Sequence, residues 1–86
     1  MRELPGWSGD TTTIRATLAF PDFSAAIRAV DEIALVAEAM NHHPDIDIRW
    51  RTLRVALTTH DAGGVTQLDV ELAHRIADIA AGLGAS

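Results

Sequence analysis

The sequence predicts an α+β domain in which a four-stranded antiparallel sheet carries its helices on one face. Three observations lead there. Apolar residues alternate along short runs bounded by turn residues, and they recur at helical spacing along two longer runs. Short turns join these runs in the order strand, strand, helix, strand, strand, helix, which favours antiparallel pairing with the helices packed together on one side. The 86 residues hold no linker, repeat or low-complexity segment and read as a single domain, 1–86.

The opening "LPGWSGD" is turn chemistry, with Pro5-Gly6 and Gly9-Asp10 bracketing a lone Trp7 on a very short strand. In "TTTIRATLAF", Ile14, Ala16, Leu18 and Phe20 fall on one side and Thr13, Arg15 and Thr17 on the other, as in a half-buried strand. Pro21-Asp22 stops that strand, and Asp22 is placed to cap a helix running from Phe23 to about Asn41. Phe23, Ile27, Val30, Ala34 and Ala37 form its core stripe. A second stripe of Ile33, Val36 and Met40 exceeds what one sheet needs, so it is expected to pack against another subunit. Pro44 is expected to end the helix, because it lacks an amide donor and pushes His43 toward extended geometry.

"DIDIRWRTLRVALTTH" alternates with a slip in phase: Ile46, Ile48 and Trp50 share one parity, Leu53, Val55 and Leu57 the other. A tight turn or bulge near Arg51-Thr52 accounts for the slip. "DAGG" is a loop. Thr66 and Asp69 then form a capping box that opens the last helix, with Leu68, Leu72, Ile76, Ile79 and Leu83 inward.

Composition excludes several classes of function. The formal charge is −5, and all seven basic residues are arginines without a basic cluster, the reverse of a phosphate-binding surface. No stretch approaches the roughly 20 apolar residues of a membrane span, and "MRELPGW" lacks the apolar core of a signal peptide, so the expected compartment is the cytoplasm. With no cysteine, any metal would need His and carboxylate ligands. Apolar residues make up 48% of this short chain, more than a lone small domain can readily bury, which suggests association between copies.

The candidate chemistry lies in the histidines. His42 and His43 close the first helix, and His60 follows the last strand before the Gly63-Gly64 loop. Three readings stay open on spacing alone. The pair is a polar helix end, an acid–base couple near neutral pH, or part of a metal site with His60 and Asp45 or Asp61, although no recognised ligand spacing is present. Glu38 lies one turn before His42, where a carboxylate would orient the imidazole. Asp69 is explained by the capping box. His74, off the apolar stripe, is expected in solvent. Trp7 and Trp50 are expected in the core or along a pocket wall, and the strand arginines in water.

An acidic residue, three residues and then H-H-P, with an aromatic, a second H and a D at set intervals beyond, occupy Glu38, His42-His43-Pro44, Trp50, His60 and Asp69. Together with "MNHHPD", "LTTHDAGGVTQLD" and "LPGW", this pattern resembles the pterin-4a-carbinolamine dehydratases (4a-hydroxytetrahydrobiopterin dehydratases) from about Leu4 to Ala80. The resemblance implies a four-stranded antiparallel sheet with helices on one face, in homodimers or homotetramers. It also implies loss of water from a 4a-hydroxy-tetrahydropterin to give the quinonoid dihydropterin, in tetrahydrobiopterin recycling, with no metal or organic cofactor. On that basis His42 and His60 would move protons, Glu38 would support His42, and His43, Pro44, Trp50 and Asp69 would contact the pterin.

Two departures stand out. Relatives usually carry a full helix before "LPGW", where only Met1-Arg2-Glu3 stand here, so either the start is trimmed or the domain lives without that helix. Ile46 replaces a tryptophan common in relatives, making one pocket wall aliphatic. Relatives that serve as dimerisation cofactors or assembly chaperones imply an alternative, a non-catalytic scaffold of the same fold.

Overall fold

The computed structural model describes residues 6–85; Pro5 of the expected opening turn lies outside the described residues. The chain forms β1 (Trp7–Gly9), β2 (Ile14–Ala19), α1 (Phe23–Met40), β3 (Asp45–Arg49), β4 (Thr52–Leu57), a single 3-10 turn at His60–Ala62, and α2 (Gln67–Gly82). The strands form one antiparallel sheet in the order β1-β2-β4-β3. This is the predicted α+β architecture.

Alternation decides which face of the sheet is covered. Ile14 pairs with Leu57, Ala16 with Val55 and Leu18 with Leu53, and on the other side of β4, Ile46 pairs with Val55 and Ile48 with Leu53. Directly paired residues share a face, so these side chains make one apolar surface beneath the helices. Phe20, Leu53, Val55, Leu57, Ala26, Ala29, Ile33, Leu72, Ala73 and Ile76 close over it as the core. Arg15, Arg49 and Arg54 are exposed, as expected of the opposite parity. The phase slip is a two-residue turn at Trp50 and Arg51, one residue earlier than predicted, with Arg49 paired to Thr52.

Helix α1 starts where the sequence predicts. Asp22 accepts a hydrogen bond from the Ala25 amide at 2.8 Å, a cap that contributes about 1 kcal/mol. Its end differs from the expectation. Asn41, not Pro44, terminates the helix: its backbone is left-handed (φ 51°), the Asn41 amide reaches Glu38 O, and the His42 amide reaches Ala37 O at 3.0 Å. This double closure satisfies the last carbonyls, and asparagine tolerates the conformation better than most residues.

The core of α1 draws on both stripes. Ala37 is buried and Val30 packed against the core as expected, but Ile33 is fully buried too, with Val36 and Met40 packed against the core, whereas Phe23 and Ile27 are 49% and 39% exposed. In α2 the capping box forms as predicted, but Leu68 is exposed, and Val70, Leu72, Ala73, Ile76 and Ala80 are buried. At 100° per residue, Asp69 shares the centre of the buried face with Ile76 and Ala80, which turns Leu68 to the flank.

Candidate functional site

The left-handed turn that ends α1 separates the two adjacent histidines. With the His42 amide held to Ala37 O, its side chain is only 11% exposed, while that of His43 is 59% exposed. From the other side of the cleft, the bridge between Thr59 and Gly64 folds the segment after β4 back on itself and presents His60 in the 3-10 turn. Gly63 takes the left-handed φ of 73° that closes this turn. Asn41, His42, His43, Thr58, Thr59, His60 and Asp61 line one open cleft of about 290 Å3. Residues distant in sequence thus bring His42, His43 and His60 together.

Behind His42 lies a buried carboxylate. His42 Nε2 is 2.5 Å from Asp69 Oδ1, and Asp69 Oδ2 accepts from Thr59 Oγ1 at 2.7 Å and from the Thr66 amide at 2.8 Å. Burial pushes the Asp69 carboxyl up, but the hydrogen bonds from His42, Thr59 and Thr66 outweigh it and hold the group below its ordinary value. Asp69 is therefore both the capping-box residue of α2 and the partner of His42. Its side chain is wholly inaccessible, so it lies behind the cleft wall and not in the cleft, against the expectation that it contacts a ligand.

Glu38 differs as well. Its Oε2 meets His43 Nε2 at 2.8 Å, not His42, which the helix-ending turn carries inward to Asp69. The Glu38–His43 pair is exposed on both sides and therefore weak in energy.

Trp50 lies at the β3–β4 turn, at the other end of β3 from His42 and His43, and is 76% exposed with φ 55°. Five residues of strand separate it from Pro44, about 17 Å, so within one chain it is no wall of this cleft. Trp7 packs against the core. Pro44 is half-buried at the entry to β3, and Ile46 is on the helix side of that strand; neither lines the cleft. His74 is not in solvent: its Nε2 is buried without a partner among the described residues. Among the described residues no group of three His, Asp or Glu side chains is placed to hold a metal ion, and no helix is long and apolar enough to cross a membrane.

A family model described as pterin 4 alpha carbinolamine dehydratase matches residues 1–79. The chain belongs to the pterin 4 alpha carbinolamine dehydratase family. Two relatives are each named "Putative pterin-4-alpha-carbinolamine dehydratase". One, from Roseiflexus sp. (strain RS-1), is 52% identical over 90% of this chain and 83% of its own. The other, from Mycobacterium tuberculosis (strain ATCC 25618 / H37Rv), is 49% identical over 88% and 81%.

The crystal structure of a transcriptional coactivator/pterin dehydratase from Brucella melitensis superposes with a TM-score of 0.86 at 35% identity, covering 90% of this chain and 84% of that one. A pterin dehydratase-like protein identified as a RuBisCO assembly factor in the alpha-carboxysome has a TM-score of 0.72 at 17% identity over 86% of each chain, a likeness of fold alone. The pterin dehydratase fold thus matches the α+β reading. Two features of the cleft escaped the sequence reading: Asp69 as the partner of His42, and Thr59 between them and the capping box. Their bonds span 27 and 10 residues, distances over which spacing carries no signal.

Proposed function

We propose that this chain is a cytoplasmic 4a-hydroxy-tetrahydropterin dehydratase that works by histidine acid–base catalysis in tetrahydropterin recycling. The observation that supports it most is the convergence of His42, His43 and His60 on one cleft, with a buried carboxylate behind His42. The reaction needs two proton movements. The C4a hydroxyl leaves as water only when its oxygen gains a proton, and N5 gives up its own as the quinonoid dihydropterin forms. Imidazoles serve both steps near neutral pH, and such catalysis contributes roughly 100- to 10,000-fold.

In this reading His42 and His60 are the proton donor and acceptor, and His43, held by Glu38, binds the pterin. A His43→Ala variant with unchanged KM would remove that binding role. The proposal assigns no metal or organic cofactor. Its test is the dehydration rate of a 4a-hydroxy-tetrahydropterin generated in situ, with excess chelator present. Acceleration that falls by about 100-fold or more in His60→Ala supports the reading; no acceleration by the unmodified protein overturns it.

A homodimer or homotetramer is part of the proposal, because a second copy would cover the apolar flank of α1 at Phe23 and Ile27. The same exposed residues favour the second reading, a dimerisation or assembly scaffold. The two readings part at His60, whose loss a scaffold tolerates and a dehydratase does not.

A further inference from the structure

The hydrogen bonds around Asp69 leave little freedom in where their hydrogens lie. The Thr66 amide is a donor only, and it donates to Asp69 Oδ2 at 2.8 Å. Thr59 Oγ1 is 2.7 Å from the same oxygen and 2.8 Å from Thr66 Oγ1. A hydroxyl has one hydrogen and an ionised carboxylate has none to give, so Thr59 donates to Asp69 and Thr66 donates to Thr59. Leu68 in turn donates its amide to Thr66 Oγ1 at 3.3 Å. The chain of donors runs one way, toward Oδ2.

With Oδ2 occupied by two donors, the one remaining place for an acidic hydrogen is Oδ1, which faces His42 Nε2 at 2.5 Å. An imidazole is ordinarily the stronger base of such a pair, so that hydrogen sits on nitrogen. The neutral ring then keeps a single lone pair, on Nδ1. Among the described residues Nδ1 makes no hydrogen bond, yet it is not sealed in, the buried side-chain nitrogen without a partner being His74 Nε2.

We propose that Thr59 is a positioning residue: through Asp69 it fixes His42 in the Nε2–H tautomer, leaving Nδ1 as the nitrogen that exchanges a proton with substrate. The tautomer stands on geometry; its use in turnover rests on the dehydratase reading above. Thr59→Val keeps much of the shape and removes the donor. Asp69 Oδ2 then loses one of its two donors, Thr66 loses its acceptor, and the carboxylate is no longer held in a single orientation.

The experiment reads the tautomer directly, from the ring nitrogen-15 shifts of His42 in labelled protein at about pH 8, where an ordinary imidazole is neutral. Wild type is expected to show the Nε2–H form, Thr59→Val a mixture, and Thr59→Ser the wild-type pattern again. Thr58→Val is the control, since Thr58 Oγ1 donates instead to Thr12 O at 2.6 Å. In the dehydration assay Thr59→Val is expected to lower kcat about tenfold with KM within about twofold, the order of one hydrogen bond to a charged group.

A wild-type His42 in the Nδ1–H form, or a Thr59→Val spectrum identical to wild type, overturns the proposal. Should Thr59→Val not fold, Thr59→Ala is read against the same two criteria. A protein with the Nε2–H pattern but no dehydration activity would refute the dehydratase reading while leaving the tautomer assignment standing.

Discussion

Replacing Asp69 with asparagine separates what its charge contributes from what its shape contributes. The buried carboxylate accepts from His42 at 2.5 Å, Thr59 at 2.7 Å and Thr66 at 2.8 Å. An amide of the same shape has one acceptor oxygen and two N–H donors, so it can accept from Thr59 and Thr66 only by turning its N–H toward His42, which then either gives up the Nε2–H tautomer or faces another donor. A hydrogen bond to a charged group contributes about 1.5–3 kcal/mol, and stranding a buried donor costs about 1–3 kcal/mol. Three bonds that each lose about 1 kcal/mol of charge assistance make Asp69→Asn destabilising by about 3 kcal/mol if His42 switches tautomer, and by up to about 6 kcal/mol if a donor is stranded, against about 4–13 kcal/mol for a whole domain of this length.

The sign with pH follows from the depressed carboxyl. A group whose pKa is lowered on folding stabilises the native state above its unfolded value, and that stabilisation fades as the pH falls through the folded value. The gap between wild type and Asp69→Asn is thus expected in full near neutrality and to shrink below about pH 4. Urea unfolding of both proteins at about pH 7 and about pH 3 measures it. A gap under about 1 kcal/mol at neutral pH would mean that the three bonds contribute little. A gap equal at both pH values would mean that the contribution does not depend on charge. Either result refutes the account.

Other outcomes are open to equally simple checks. His74→Leu removes a buried nitrogen that has no partner among the described residues, and should raise the urea midpoint by the equivalent of about 1 kcal/mol. Asn41→Gly should be neutral or slightly stabilising, because the position needs a left-handed backbone, whereas Asn41→Ala should cost about 1 kcal/mol by thermal unfolding. Glu38→Gln breaks an exposed pair and should change stability by less than about 0.5 kcal/mol; a larger loss would mean that the Glu38–His43 contact is more than a surface one.

The fold was legible in the sequence because each element carries its own local signal. Alternation in β2 and β4, Asp22 before α1, and Thr66 with Asp69 before α2 all act within a few residues. The errors came where a residue had two local explanations or a distant one. Pro44 is a strong helix breaker, but Asn41 acts first by taking the left-handed backbone that asparagine tolerates, so the more conspicuous of two stop signals was not the one used. Of the two apolar stripes on α1 the second was expected to face another subunit, but Ile33, Val36 and Met40 join Val30 and Ala37 in the core of this chain.

For the site, the histidines stood out by type and position. Their carboxylate partners did not. Glu38 sits at the right helical spacing for His42, but that spacing holds only while the helix continues, and it stops at Met40. Asp69 already had a complete local explanation in the capping box, which hid its bond to a histidine 27 residues away.

That shared carboxylate couples two events usually considered apart. Fraying of the first turn of α2 releases the Thr66 amide from Asp69, and the same opening frees the side chain that steadies His42. Helix ends open far more often than whole domains do. The fraction of time spent in that open state is readable as hydrogen–deuterium exchange at the Thr66 amide, and in that state the carboxylate that meets His42 has one anchor fewer. In this chain the hold on an imidazole near one end of the sheet is thus tied to the breathing of a helix start, so a substitution that tightens the α2 cap from outside the cleft should alter both together.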